Sequence, residues 1–316
     1  MAPSVAGMST VRAASAATFS SATARVRSLG RGKRRTSGDG RGAGIGLVLG
    51  GLVSQEFGAA VATSLFPRAG AAGIVALRLL LSAGLLLAVC RPRVRDYRRA
   101  DWAVVVGFGA ALAGMNFLFY QSIARIPLGA AVTFEVLGPL VLSVVLARRA
   151  ASWLWAGLAL AGVALLSRGG FDRLDGSGVA FALGAAALWA AYILLSARAG
   201  TRFPRTDGLA LAMAVAAVLS LPAGIAVAGT ALLDPVTLGL GVVVAILSSA
   251  LPYTLELLAL RRVTASVFGV VSTLAPVIAA VSGYAVLGQI LSPLDLGAIA
   301  LVVAAASGAV LTSRRR

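Results

Sequence analysis

Histidine is absent from this chain of 316 residues, cysteine occurs once, at Cys90, and acids are few: eight aspartates and three glutamates. Without histidine, Ser-His and Cys-His catalysis and a Cys/His zinc site are excluded, and a lone cysteine excludes a disulfide framework within the chain. Charged residues make up 12% of the composition, against about 25% in ordinary soluble proteins. That is too few to coat a water-facing surface, which argues against a soluble globular enzyme. What the chain has in excess is apolar: 59% of residues are hydrophobic and the mean hydropathy is +0.93. Basic residues outnumber acids 28 to 11, for a net charge of +17, a balance that elsewhere would raise nucleic acid as a partner. Here the arginines stand in short clusters between apolar runs, which is a membrane-topology pattern. No nucleic-acid partner is expected.

Residues 1–42 hold eight Lys/Arg and one acid among Ala, Ser, Thr and Gly. They lack the apolar core of a secretory signal and read as a disordered basic tail. An organelle transit peptide, or a gene start placed too early with Met8 or a later codon as the initiator, is the alternative. From about Ala43 the sequence becomes a series of apolar runs, each near the ~20 residues a helix needs to cross ~30 Å of hydrocarbon. Ten spans are predicted, over 43–65, 70–90, 102–124, 127–147, 152–168, 176–197, 207–228, 237–259, 264–287 and 294–312. A barrel would show short alternating segments instead, so the fold class is an all-α polytopic membrane protein.

With the N-terminus placed in the cytoplasm, 23 of the 28 basic residues fall on the inside, including Arg91, Arg93, Arg95, Arg98 and Arg99 in one loop and the tail 313–316. Four fall outside (Arg68, Arg125, Arg168, Arg173) and Arg78 lies within a span. The asymmetry puts both termini in the cytoplasm and supports an even number of helices in the inner, or plasma, membrane. Trp102, Trp153 and Trp155 fall at span ends, and Tyr284 is expected at an interface. Thirty-seven glycines suit close helix approach.

An internal echo suggests two halves. At an offset of 137 residues, Arg125 aligns with Arg262 and Pro139 with Pro276, and Leu183-Gly184-Ala185 echoes Leu49-Gly50-Gly51. If the unit is five helices, over 43–168 and 176–312, the odd number inverts the second half relative to the first. A site is then expected near the midplane between the halves.

All eight aspartates lie in tails, loops or span ends, whereas Glu56, Glu135 and Glu256 fall within apolar runs, joined by Arg78. A charge at a helix centre costs about 2.5–3.5 kcal/mol on insertion scales, so these groups need partners, a wet cavity or a task. Glu56 and Arg78 lie near mid-span, and Glu135 about 12 Å into the fourth span. One reading is a midplane cavity where Arg78 grips a carboxylate and a glutamate grips an amine or a proton. The other is that Arg78 is a permanent salt-bridge partner of Glu56 or Glu135. Glu256, about 5 Å from its cytoplasmic end, is equally open to snorkelling toward Arg261 or Arg262.

Prolines sharpen the picture. Pro139 has no N–H for the carbonyl of Glu135, Pro252 none for Ser248, and Pro276 none for Ser272. Broken helices at matching places in two halves point to a transporter site, whereas Pro222 reads as a harmless kink. Asn116 and Tyr120 share a face of the third span, with Gln121 beside them; Trp189, Tyr192 and Tyr253 add further polar or aromatic groups. These side chains suit a cavity lining or interhelical hydrogen bonds.

Asn116-Phe-Leu-Phe-Tyr120, Ile126-Pro-Leu-Gly129, Glu135-Val-Leu-Gly-Pro139, Ser64-Leu-Phe-Pro67, Ala76-Leu-Arg78, Ala245-Ile-Leu-Ser-Ser-Ala-Leu-Pro-Tyr253 with Leu255-Glu256, and Ala279-Ala-Val-Ser-Gly283 together resemble the threonine/homoserine exporters of the EamA branch of the drug/metabolite transporter superfamily. The resemblance covers roughly 43–312. It implies a ten-helix inner-membrane carrier of two inverted five-helix repeats that exports small neutral amino acids against protons by alternating access. By position it assigns Arg78, Asn116, Tyr120, Glu135, Trp189, Tyr192 and Tyr253 to the substrate, with Glu135, Glu56 and Glu256 as proton-coupling candidates. Pro139, Pro252 and Pro276 are the helix breaks. The chain departs from the family pattern at Ala275, where an acid is expected, at Gly288-Gln289 in place of Gly-Glu, and at Glu56 in place of glutamine. The expected partners are a small solute, protons and the lipid bilayer, with no metal and no cofactor. An exporter of drugs or other metabolites from the same superfamily is the runner-up, a non-transporting membrane scaffold a weaker one, and an enzyme is not expected because no span centre carries Asp or His.

Overall fold

Backbone amides in hydrocarbon must find partners within their own segment, which favours helix wherever a run is apolar. In the computed structural model, residues 37–92, 97–147, 175–204, 206–260, 262–263 and 271–313 are described, together with Val94 and scattered positions between 154 and 165. These residues are helical with short connections and, among them, there is no strand.

In chain order the helices are α1 (Ser37–Ser64), α2 (Phe66–Cys90), α3 (Arg99–Ile123), α4 (Leu128–Glu135), α5 (Leu137–Ala147), α6 (Gly176–Arg202), α7 (Asp207–Ala228), α8 (Pro235–Ala245), α9 (Leu251–Leu260), α10 (Ala275–Leu287) and α11 (Pro293–Ser313). A 3₁₀ turn at Gly229–Leu233 follows α7, and a π turn at Ile246–Ala250 joins α8 to α9. Among the described residues, six segments are long and apolar enough to cross a membrane: Gly42–Ser64, Phe66–Cys90, Arg99–Ile123, Gly176–Arg202, Asp207–Leu233 and Pro235–Glu256. Leu128–Leu142, Ala275–Leu287 and Pro293–Gly308 are shorter apolar helices. The protein is thus an all-α polytopic membrane protein. The expected fifth span (152–168), the start of the ninth (264–270), the last residues of the C-terminal tail (314–316) and most of the N-terminal tail lie outside the described residues.

Local chemistry sets the helix ends. Asp175 caps α6 by accepting from the Ser177 N–H, and Asp234 caps α8 by accepting from the Thr237 N–H. Pro67 stands in the first turn of α2, Pro235 in that of α8 and Pro276 in that of α10. Two of the prolines inside spans follow closely on helix interruptions. The fourth span breaks at Val136, directly after Glu135 and three residues before Pro139, and the ninth turns at Thr273 and Leu274, just before Pro276. Val136 and Thr273 stand 137 positions apart, the offset read from the sequence. By contrast α7 runs unbroken through Pro222.

Residues 43–316 form one compact unit. Within it α2 lies along α7, α3 lies between α6 and α7, α4 contacts α10 and α6, and α8 packs on α2. The polarity is inverted relative to a soluble fold: Leu80, Val89, Val106, Val218, Ile225 and Val243 face outward while Glu56, Arg78, Ser82, Asn116, Ser248 and Ser249 are buried. Such an outer surface suits lipid. Tyr284 is exposed, as an interface anchor would be. Trp155 packs against Gly308 of α11, where a Cβ would stand 2.5 Å from its ring; Trp153 lies outside the described residues.

Candidate functional site

The π turn is the local anomaly on which the site is built. An α-helix closes its hydrogen bonds at i+4; five residues at wider pitch, with Pro252 following, leave carbonyls available to other helices. Three are taken. Ser82 Oγ of α2 donates to the Ala245 carbonyl at 3.1 Å, Ser54 Oγ of α1 to Leu247 at 2.7 Å, and Arg78 Nη1 to Ser248 at 3.2 Å. Arg78 and Ser82 are one helical turn apart on α2 and therefore meet the same stretch of backbone. The Ser248 carbonyl is the one that Pro252 cannot serve. Gly58 of α1 permits this closeness: a Cβ there would stand 2.8 Å from the Ser248 backbone nitrogen and 2.9 Å from the Leu247 carbonyl carbon.

Arg78 is otherwise held by neutral groups. Its Nη2 donates to Asn116 Oδ1, and the Asn116 amide is itself oriented by donating to the Leu112 carbonyl at 2.7 Å. The guanidinium carbon lies 4.7 Å from the centroid of the Tyr120 ring, a cation–π contact. Arg78 is only 3% exposed, yet its Nε has no hydrogen-bond partner. Among the described residues no ion pair within 4.0 Å joins it to Glu56 or Glu135, so the salt-bridge alternative does not hold in this conformation.

Both glutamates nonetheless share a cavity with it. A space of ≈ 350 Å³ is lined by Glu56, Arg78, Asn116, Glu135, Ser248 and Tyr253, and by Gln55, Ala59, Met115 and Phe119. Glu56 and Glu135 are buried, and Glu56 Oε2 has no hydrogen-bond partner. Three helices, α1, α2 and α4, thus bring two carboxylates and a guanidinium to one void without letting them cancel each other. Such a site can match both ends of a zwitterion or exchange a proton at a carboxylate.

Placement of the other expected residues is mixed. Tyr253 lines the cavity, while Asn116 and Tyr120 spend their polar group and ring face on Arg78. Tyr192 and Glu256 line a second cavity, beside α6 and α9. Trp189 is half-buried against the apolar core and lines neither. Gln121 binds Arg125 through its side chain at 2.8 Å on the exposed end of α3. Glu256 makes no ion pair with Arg262 among the described residues, and Arg261 lies outside them. Gln289, where the family pattern has glutamate, accepts from the Leu128 N–H at 3.1 Å and so caps α4. Gln55, Met115 and Phe119 were not anticipated; Met115 and Phe119 sit one turn apart on the Asn116 side of α3, a pattern that reads equally as core.

Outside the spans, Asp175 has its carboxyl held below the usual range by the Ser177 hydroxyl and backbone N–H, with Arg125 at 3.8 Å adding to this. Asp234 is lowered likewise by the Thr237 N–H and hydroxyl.

Comparison with known proteins follows the same line. Residues 176–311 match the EamA-like transporter family. The chain is 41% identical over 274 residues to the threonine/homoserine exporter RhtA of Escherichia coli strain K12, spanning 86% of this chain and 92% of that protein. It is 41% identical over 267 residues to RhtA of Salmonella typhimurium strain SL1344, covering 84% and 90% of the two chains. The uncharacterized transporter YwfM of Bacillus subtilis strain 168 is 30% identical over 239 residues, 72% of this chain and 80% of that one. A crystal structure 22% identical in sequence superposes with a TM-score of 0.59 over 88% of this chain and 98% of its own, a likeness of fold.

Proposed function

The chain belongs to the EamA-like transporter family, and from that membership and the buried cavity we propose that it exports small neutral amino acids, threonine and homoserine foremost, across the inner membrane in exchange for protons. The observation that carries this reading is Arg78: buried, fixed by neutral acceptors, with Nε unengaged beside two carboxylates that do not pair with it. The solute's carboxylate docks on the free edge of the guanidinium, and its ammonium on Glu135 or Glu56. The carboxylate left over takes the proton that returns. Asn116 and Tyr120 position the arginine.

Transport proceeds by alternating access between two inverted five-helix repeats, 43–168 and 176–312, with both termini cytoplasmic. The matching breaks at Val136 and Thr273, the paired Pro139 and Pro276, and the arginine-rich inside loops support this arrangement. The repeats rock about the cavity, opening it to one side and then the other.

The test is counterflow of labelled threonine and homoserine in proteoliposomes, with and without a pH gradient. Exchange accelerated by the gradient is expected. Glu135→Gln should abolish the acceleration with the protein still inserted in the membrane. Absence of exchange of either amino acid would defeat the proposal, and undiminished proton-driven efflux in Glu135→Gln would remove that residue from the coupling step.

A further inference from the structure

The second cavity, ≈ 460 Å³, opens along a stripe of α6 at i, i+3, i+4 spacing, Ser196, Ala199 and Gly200, and is closed by Tyr192, Tyr253 and Glu256. Tyr253 also lines the central cavity, so one side chain is the shared wall of both. The rings of Tyr192 and Tyr253 lie 6.1 Å apart between centroids, with Phe108 5.3 Å beyond Tyr192, which makes the wall aromatic. The two spaces differ in charge. The central one holds Arg78 with two glutamates, whereas Glu256 is the one ionisable charge among the described residues lining the second, with no arginine or lysine beside it. Glu256 is partly exposed, and no ion pair engages it among the described residues. The cavity lies toward the end of α6 that carries Arg198 and Arg202, the cytoplasmic end by the charge rule.

We infer that this cavity is a separate vestibule site that binds the ammonium group of the solute through Glu256 before the solute passes Tyr253 to the central cavity. The inference rests on the export reading above and deepens it. A carboxylate beside aromatic faces recognises a primary ammonium, while the Thr206 hydroxyl is already paired with Cys90 Sγ at 2.9 Å. Among the described residues that line it there is no cation to pair with a carboxylate. The vestibule therefore takes amines with or without a carboxyl group, and Arg78 imposes the requirement for one at the second step.

The test is equilibrium binding of labelled threonine to the purified chain in lipid nanodiscs. Two equivalents per chain are expected, one of them displaced by 1-amino-2-propanol, which is threonine without its carboxylate. Glu256→Gln should halve the stoichiometry and leave the equivalent that the amino alcohol does not displace. Ala199→Leu, at a buried lining position, should do the same by narrowing the vestibule. Arg78→Met should keep only the displaceable equivalent. One equivalent in the unaltered chain, or two retained in both vestibule variants, overturns the vestibule and leaves export standing. No threonine binding at all overturns both.

Discussion

Replacing Arg78 with lysine keeps the charge and removes the geometry. The guanidinium makes one bond to the Ser248 carbonyl and one to Asn116 Oδ1, lies over the Tyr120 ring, and keeps Nε for another acceptor. A lysine ammonium is a point donor that cannot span two fixed acceptors and present a planar edge as well. On the export reading the variant forfeits one charge-assisted hydrogen bond to the solute's carboxylate, worth about 1.5–3 kcal/mol. At about 1.4 kcal/mol per tenfold, half-saturation for threonine counterflow rises by roughly 10- to 150-fold. The measurement is the concentration dependence of counterflow at equal amounts of reconstituted protein, with amino alcohol uptake in parallel. Half-saturation within about threefold of the unaltered protein would mean that a positive charge alone suffices, and the argument from free donor geometry would be refuted.

Other perturbations test the frame around the arginine. Gly58→Ala forces a Cβ against the π-turn backbone and should cost roughly 1–3 kcal/mol, seen as a lowered Tm of the purified protein, whereas Gly84→Ala, whose Cβ meets nothing within 4 Å, should be neutral or stabilising. Pro252→Ala restores an N–H that competes for the carbonyl held by Arg78; a net hydrogen bond of about 0.5–1.5 kcal/mol predicts a two- to twelve-fold rise in half-saturation, and an unchanged value would show that the proline does not position Arg78. Asp175 is lowered by its Ser177 bonds, so its contribution to stability is present above the unfolded carboxylate pKa of about 3.9 and is lost as pH falls through the lower folded value. Thermal denaturation of Asp175→Asn and the unaltered protein should differ slightly at pH 7 and converge in strong acid; a difference that widens on acidification would contradict this.

Much of this was legible in the sequence because the bilayer leaves few alternatives. Apolar runs near 20 residues must become helices, and α2, α3, α6 and α7 lie where those runs predict, with ends moved by a few residues: α6 extends to Arg202 beyond the expected 197. The break after Glu135 was legible too, since Pro139 removes a donor whatever surrounds it. The π turn was not. Its freed carbonyls are held by Ser54, Ser82 and Arg78, which lie 193, 163 and 170 residues away in the chain, and no local propensity encodes such pairings. Trp189 illustrates the converse: an aromatic on a membrane helix has the same sequence signature whether it faces a cavity or, as Trp189 does in this conformation, the packed core.

The neutral ligation of Arg78 carries a charge argument for coupling. Had either glutamate paired with it, the cavity would hold a closed couple and one spare acid, with no free cation for a carboxylate. With its orientation fixed instead by a carbonyl, an amide oxygen and a ring face, Arg78 contributes +1; with both glutamates ionised the empty site would stand at −1. One proton on either glutamate brings it to zero. On the export reading a zwitterion takes the place of that proton, its carboxylate on the guanidinium and its ammonium on one glutamate, so that solute and proton occupy the site by turns. On the same reading, release of the returned proton to the cytoplasm restores −1 and readies the site for the next solute. On the export reading, two acids around one unneutralised base give a neutral amino acid a partner for each end and leave a group for the returning proton.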